Sequence, residues 1–230
     1  MNILLASTSS LYQGTYLEYI KTDVQKLFEN IQQITFIPYA RPGGISHDDY
    51  TQKVADFFEK LHIKAVGLHT FQNPKEAILN SEAFFTGGGN TFLLVKTLHE
   101  LNLMKPLAEA IKSGKPYLGS SAGSNLAGQT LQTTNDMPIV YPPSFDCLQL
   151  IPYNINPHYL DPIPNFPHNG ETRETRIKEF HTQNSIPVIG LREGNWIRVQ
   201  HGKITVEGMH QTKLFYPQQE PIEIEAGTEL

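Results

Sequence analysis

The sequence has almost no cysteine. Cys147 is the only one among 230 residues, so no intrachain disulfide can form and no Cys-rich zinc site is available. A reducing, cytoplasmic compartment is the expectation that follows. Positive charge is also short. There are 18 Lys and Arg against 23 Asp and Glu, a formal net charge of -5, and nothing resembles the basic stripe of a nucleic-acid binder. No apolar run approaches the roughly 20 residues that cross a bilayer, so no membrane partner is expected. The opening MNILLASTSS lacks a basic leader and reads as a first strand, not a signal peptide. Two phosphate-binding patterns are missing as well. There is no G-x-x-x-x-G-K-[ST], and no G-x-G-x-x-G follows the first apolar run, which argues against a P-loop and against a dinucleotide site. Internal repeats, low-complexity tracts and linkers are absent too.

What is present is a globular composition, with 39% hydrophobic and 18% charged residues, at a length that suits one α/β domain over residues 1–230. Ile3 to Ala6 is the short apolar run of a central parallel strand. Residues 15–29 place Tyr16, Ile20, Val24 and Leu27 on one helical face. Ile34 to Pro38 reads as a strand, and Arg41 to His47, with Pro42, Gly43 and Gly44, as loop. Asp48 is placed to cap a helix bearing Tyr50, Val54, Phe57 and Leu61 on one side. Ala65 to Leu68 and Ala83 to Thr86 read as strands around a short helix over 74–80. Asn90 reads as the N-cap of a helix with Phe92, Val95, Leu98 and Leu101. A further helix, about Pro106 to Lys112, stops at Gly114.

This alternation predicts an α/β fold with a doubly wound, mostly parallel sheet and right-handed crossovers. Residues 132–170 are rich in Pro, Asn and Asp and read as a long irregular stretch of the kind that carries function. Beyond them the pattern predicts a helix over 171–183, a strand from Ile186 to Leu191, and a hairpin of Trp196 to Gln200 with Lys203 to Glu207. Leu214 to Tyr216 and Ile222 to Ile224 read as extensions of this antiparallel C-terminal edge.

The chemistry centres on Gly119-Ser120-Ser121-Ala122-Gly123. Tyr117 and Leu118 before it end a buried strand, and Ser124 to Leu131 after it reads as the start of a helix. Small residues on both flanks of a serine at such a turn are what a nucleophile elbow requires, because the backbone is strained and crowded there. An ordinary small-residue turn has the same composition. The triple glycine of Gly87-Gly88-Gly89-Asn90 opens the other helix. Together the two turns offer the N–H groups of Gly89 and Ala122 as an oxyanion hole. A serine also needs a base and an orienting acid. Of nine histidines, His158 and His168 lie in the long Pro-rich stretch. Glu193 follows the strand ending at Leu191, and Asp136 and Asp161 are further acids. Arg173 and Arg176, three apart on a helix, share a face and suit a carboxylate ligand. A solvated face with Glu171 and Glu174 as partners is the plainer alternative.

Six stretches carry a family resemblance: FTGGGNTF (85–92), GSSAGSN (119–125), TTNDMPIV (133–140), NPH (156–158), HNGETRETRI (168–177) and REGN (192–195). In this order they resemble the peptidase E family, serine-type α-aspartyl dipeptidases related to class I glutamine amidotransferases. The resemblance implies a class I glutamine amidotransferase-like fold, Ser121 as nucleophile, His158 as general base and Glu193 as third member, with Asp136 as the alternative acid. Ser120 departs from the family, where a bulkier residue is common. The resemblance also implies hydrolysis of dipeptides with an amino-terminal aspartate, in a pocket of Arg173, Arg176, His168, Asn169 and Glu171. Neither metal nor organic cofactor is called for. A monomer or weak homodimer is expected. Two other classes stay open: a same-fold serine hydrolase for another acidic peptide, β-aspartyl or cyanophycin-like, and a non-catalytic binding protein.

Overall fold

In the computed structural model, residues 1–162 and 170–230 are described. The apolar run at the start forms β1 (Asn2–Ala6), and its side chains alternate between two cores. Ile3 and Leu5 join one apolar cluster, Leu4 and Ala6 the other. A strand buried on both faces is what a covered parallel sheet demands. Four more strands lie parallel to it: β2 (Gln33–Ile37), β3 (Lys64–Gly67), β4 (Ala83–Thr86) and β5 (Tyr117–Ser120). The hairpin of β8 (Asn195–Gln200) and β9 (Lys203–Gly208) adds an antiparallel edge, giving a seven-stranded sheet in the order β3-β2-β4-β5-β1-β8-β9. Helices α1 (Lys21–Leu27) and α2 (His47–Glu59) cover one face. Helices α3 (Pro74–Asn80), α4 (Thr91–Glu100) and α5 (Met104–Lys112) cover the other. No helix among the described residues is long and apolar enough to cross a membrane.

Four elements differ from the sequence expectation. The helix after the serine turn is only four residues, α6 (Ala122–Asn125). It stops because residues 148–150 take the carbonyls a longer helix would use: Leu148 N–H donates to Leu126, Gln149 to Gly128 and Leu150 to Ala127. The irregular middle holds a strand, β6 (Asn154–Pro157), and β6 pairs parallel with β7 (Val188–Leu191). Leu214 and Ile222 do not extend the hairpin edge. They lie in β10 (Thr212–Phe215) and β11 (Ile222–Ile224), which join β7 and β6 in a second sheet, β11-β10-β7-β6. Burial explains this: Leu214 faces the larger core while Phe215 packs with Ile177 of α7 (Arg173–Phe180). Such two-sided burial is not available at a solvent edge. Finally, Ser46 caps α2, accepting from Asp49 N–H at 3.0 Å, while Asp48 turns to His69 Nε2 at 2.7 Å.

A charge network ties the second sheet to the loop after β6. Arg192 donates to both oxygens of Asp161 at 2.8 and 3.0 Å and to both oxygens of Glu223 at 2.8 Å. Lys213 adds contacts to Asp161 and Glu174, each at 3.3 Å. The Arg192 guanidinium holds the Asp161 and Glu223 carboxyls below the usual carboxylate range. Their folded values lie below their unfolded values, so their contribution is complete above pH ~4.5 and disappears as pH falls through the folded values. Arg192→Gln is expected to lower Tm at pH 7 and to flatten the loss of Tm below pH ~4.5, as thermal melts across that range will show.

Candidate active site

The carboxyl ends of β1, β4 and β5 meet at one edge, where an open α/β sheet places its ligands. Ser121 occupies the turn out of β5 with φ 54° and ψ −111°, a conformation costly for any residue but glycine. What holds it is close packing. Its N–H donates to Ala6 O at 3.1 Å, and a Cβ on Gly123 would stand 2.1 Å from Thr86 O. The elbow thus presses backbone against backbone on the end of β4, and no larger residue fits.

Ser121 Oγ lies 2.9 Å from His158 Nε2, and His158 Nδ1 lies 2.6 Å from Glu193 Oε1. A carboxylate only accepts, so Nδ1 carries the hydrogen. In the neutral ring Nε2 is then a lone pair facing the serine hydroxyl. His158 and Glu193 come from the ends of β6 and β7, neighbouring parallel strands of the second sheet. Both side chains are half-exposed, at 38% and 48%, so solvent reaches the outer side of the pair. The strand ending at Leu191 therefore delivers its loop to the site from a different sheet than expected.

The glycine loop stands on the other side. A Cβ on Gly88 would sit 3.1 Å from Ser121 Cβ. Gly88 C=O accepts from Tyr50 Oη at 3.2 Å, inside the α2 core. In a trans peptide the N–H points opposite to the C=O, so Gly89 N–H is turned away from that core. Gly89 has φ 148°, and a Cβ there would lie 2.2 Å from Ala40 O, so only glycine takes this position. Neither Gly89 N–H nor Ala122 N–H meets an acceptor among the described residues. Asn90 caps α4 as expected, accepting from Leu93 N–H at 3.0 Å.

Asp136 does not reach His158. Its Oδ2 accepts from Thr91 N–H at 2.7 Å, Thr91 Oγ1 at 2.6 Å and Thr134 Oγ1 at 3.0 Å. A carboxylate at the first turn of α4 is favoured by the helix's free N–H groups and dipole. Asp161 is likewise occupied, by Arg192 and Lys213. The neighbouring Asn135 does serve the histidine's strand: its amide donates to Pro157 O at 2.6 Å and its Oδ1 accepts from Asn156 at 2.8 Å. The 133–136 stretch thus bridges α4 and the end of β6, a role that its polar composition did not reveal.

The two candidate arginines differ. Arg176 is 3.7 Å from Glu171, and both are exposed. Arg173 has no carboxylate within 4.0 Å among the described residues, and its charge is felt by Asp136 and Arg176. Partial burial and Arg176 weaken its hold on the proton, Asp136 opposing them. His168 and Asn169 lie outside the described residues. Among the described residues no three His, Cys, Asp or Glu side chains converge to hold a metal ion. Cys147 is buried, and burial pushes its thiol up, so it presents no thiolate.

Ser120 and Ser121 are distinguished by placement. Ser120 is fully buried, and among the described residues its Oγ has no hydrogen-bond partner. Removing an unsatisfied buried hydroxyl is close to neutral or stabilising. Ser120→Ala is therefore expected to keep kcat and KM within about twofold and Tm at or above the wild-type value, as steady-state kinetics and thermal melts will show.

The Peptidase family S51 model matches residues 3–207. The chain is 45% identical to the probable alpha-aspartyl dipeptidase of Drosophila melanogaster over 93% of this chain and 89% of that one. It is 42% identical to Peptidase E of Streptomyces coelicolor, over 100% and 93%, and 41% identical to Peptidase E of Shigella flexneri, over 99% of each. Among solved structures it resembles a putative peptidase E protein from Listeria monocytogenes EGD-e, with a TM-score of 0.66 and 20% identity over 90% of this chain and 98% of that one. It also resembles a peptidase from an acI-B1 Actinobacterium, with a TM-score of 0.70 and 17% identity over 100% and 96%. At those identities the solved structures speak for the fold.

Proposed function

This chain belongs to peptidase family S51, and we propose on that premise that it is a serine-type dipeptidase that removes an amino-terminal aspartate from Asp-X dipeptides. The observation that carries the reading is the line Ser121 Oγ, His158, Glu193 at 2.9 and 2.6 Å, opposite two N–H groups with no acceptor among the described residues. The Drosophila melanogaster relative, a probable alpha-aspartyl dipeptidase, supplies the substrate class.

In the proposed reaction His158 Nε2 takes the Ser121 proton as Oγ attacks the carbonyl carbon of the Asp-X bond. The oxyanion forms against Gly89 and Ala122 N–H, each worth roughly 3 kcal/mol in such sites. The imidazolium, held by Glu193, gives its proton to the leaving amine as the C–N bond breaks, and X departs. Water then attacks the aspartyl ester as His158 again takes a proton, and the imidazolium returns it to Ser121 Oγ as the ester C–O bond breaks, releasing aspartate and restoring the serine hydroxyl. No step calls for a metal or an organic cofactor. Arg173, free of a carboxylate partner among the described residues, takes the aspartate side chain. Arg176 stands beside it, and Glu171 faces the substrate's ammonium group. We further propose one domain over residues 1–230, supported by the apolar cluster that runs from β1 and β5 into β6, β7 and β10. The enzyme works in a reducing cytoplasm, in keeping with its lone buried cysteine.

The test is hydrolysis of Asp-Leu, β-Asp-Leu, Asn-Leu and Ala-Leu by the purified protein with EDTA present. Cleavage of Asp-Leu alone is expected. Preference for β-Asp-Leu would move the substrate to β-linked acidic peptides, and cleavage of none would remove the substrate class.

A further inference from the structure

The three members of the line reach the site from distant parts of the chain, yet two consecutive residues at the end of β1 touch the supports of all three. Ala6 O accepts from Ser121 N–H at 3.1 Å and from Ser124 Oγ at 2.7 Å, which fixes the elbow. Ser7, fully buried, fixes the rest. Its Oγ donates to Leu191 O at 2.7 Å and accepts from His158 N–H at 2.8 Å. Leu191 O also accepts from Tyr159 N–H at 3.1 Å, and Ser7 N–H donates to Asn195 O at 3.1 Å. One hydroxyl therefore registers the base-bearing segment and the acid-bearing segment against each other and against the strand that holds the serine.

We propose that Ser7 is a positioning residue for the triad, acting through the backbones of His158 and Leu191; this rests on the reading of Ser121 and His158 given above. His158 has φ 54°, a left-handed conformation that a non-glycine residue keeps only where its surroundings over-determine it. The bond from His158 N–H to Ser7 Oγ is that constraint. The position also demands a group that donates and accepts at once, because it lies between a buried C=O and an N–H. A serine hydroxyl does both at this length. Alanine does neither: His158 N–H loses its acceptor, and Leu191 O keeps only the bond from Tyr159 N–H. The imidazole then loses its fixed distance to Ser121 Oγ, and misplacement by about 1 Å is enough to cost about 10²-fold in rate. Substrate carboxylates are read elsewhere, so binding is unaffected.

Three variants test this. Ser7→Ala removes the hydroxyl. Ser7→Cys keeps a near-isosteric but weaker donor and acceptor. Thr35→Val removes a remote buried hydroxyl that pairs with Ser81 Oγ. On Asp-Leu, Ser7→Ala is expected to lose about 10- to 100-fold in kcat with KM within about threefold. Ser7→Cys is expected to fall between Ser7→Ala and the wild type. Thr35→Val is expected to lose Tm without losing kcat. The rate of Ser121 phosphonylation by a fluorophosphonate should follow the same order, and it needs no dipeptide. It therefore tests Ser7 even where the substrate class is wrong, while wild-type cleavage of Asp-Leu tests that class. Unchanged kcat and labelling rate in Ser7→Ala, or a loss matched by Thr35→Val, would overturn the proposal.

Discussion

Ser121→Ala is expected to lower kcat on Asp-Leu by about 10⁴- to 10⁶-fold with KM little changed. In the proposed reaction the hydroxyl contributes only when it attacks, so its removal should leave the contacts to the substrate's carboxylates intact. His158→Ala should cost about as much, and the double variant little more than either single one, because the two groups act as a unit. Steady-state kinetics on the three variants checks this. Full additivity would mean that His158 does its work apart from Ser121. Activity retained in Ser121→Ala would remove the nucleophile.

The second large effect separates two acids. Glu193→Gln is expected to cost about 10³- to 10⁴-fold in kcat, since the amide no longer offers His158 Nδ1–H a charged acceptor and does not stabilise the imidazolium formed during acyl transfer. Asp136→Ala is expected to act differently. Its carboxylate receives three hydrogen bonds at the start of α4 and sits in the field of Arg173. Its loss should therefore appear as a Tm decrease, from about 1 kcal/mol of capping, and as a raised KM. Parallel determination of kcat, KM and Tm for both variants decides the point. A kcat loss in Asp136→Ala equal to that in Glu193→Gln, with KM unchanged, would assign the orienting role to Asp136.

Much of the fold was legible where local signals and tertiary packing agree. β4 was readable as Ala83 to Thr86 because four buried residues follow a helix and precede glycines. Asn90 was readable as a cap because its side chain is the right length to reach the third N–H of the helix it opens. The β8–β9 hairpin announces itself by alternation around His201-Gly202. The rest depends on partners distant in sequence. β6 contains Asn154, Asn156 and Pro157, poor strand formers, and the two asparagine side chains find their partners in Thr130, Thr133 and Asn135. No local pattern marks it. The helix after Ser121 is cut short by carbonyl acceptors claimed by residues 148–150, and nothing in residues 122–131 encodes that. The second sheet arises because β7, β10 and the loop after β6 share burial and the Arg192 network.

At the site, the motifs marked the serine, the histidine and Glu193 together, and the geometry brings those three side chains into line. The sequence left Asp136 as a rival acid because a carboxylate close to a catalytic motif carries no sign of which way it faces. Ser7 was invisible for the same reason. Among Ser7, Thr8, Ser9 and Ser10 nothing distinguishes the one hydroxyl that lies between two distant loops. Arg173 and Arg176 were equivalent by spacing. Only the ion pair from Arg176 to Glu171 makes Arg173 the freer guanidinium.

The measurement that tests the central claim most directly is a fluorophosphonate adduct mapped by peptide mass spectrometry on the wild-type protein, with Ser121→Ala and His158→Ala alongside. The account predicts a single adduct on Ser121, slowed by Asp-Leu in competition, absent in Ser121→Ala and strongly slowed in His158→Ala. An adduct on Ser120, or undiminished labelling when His158 is removed, would contradict it.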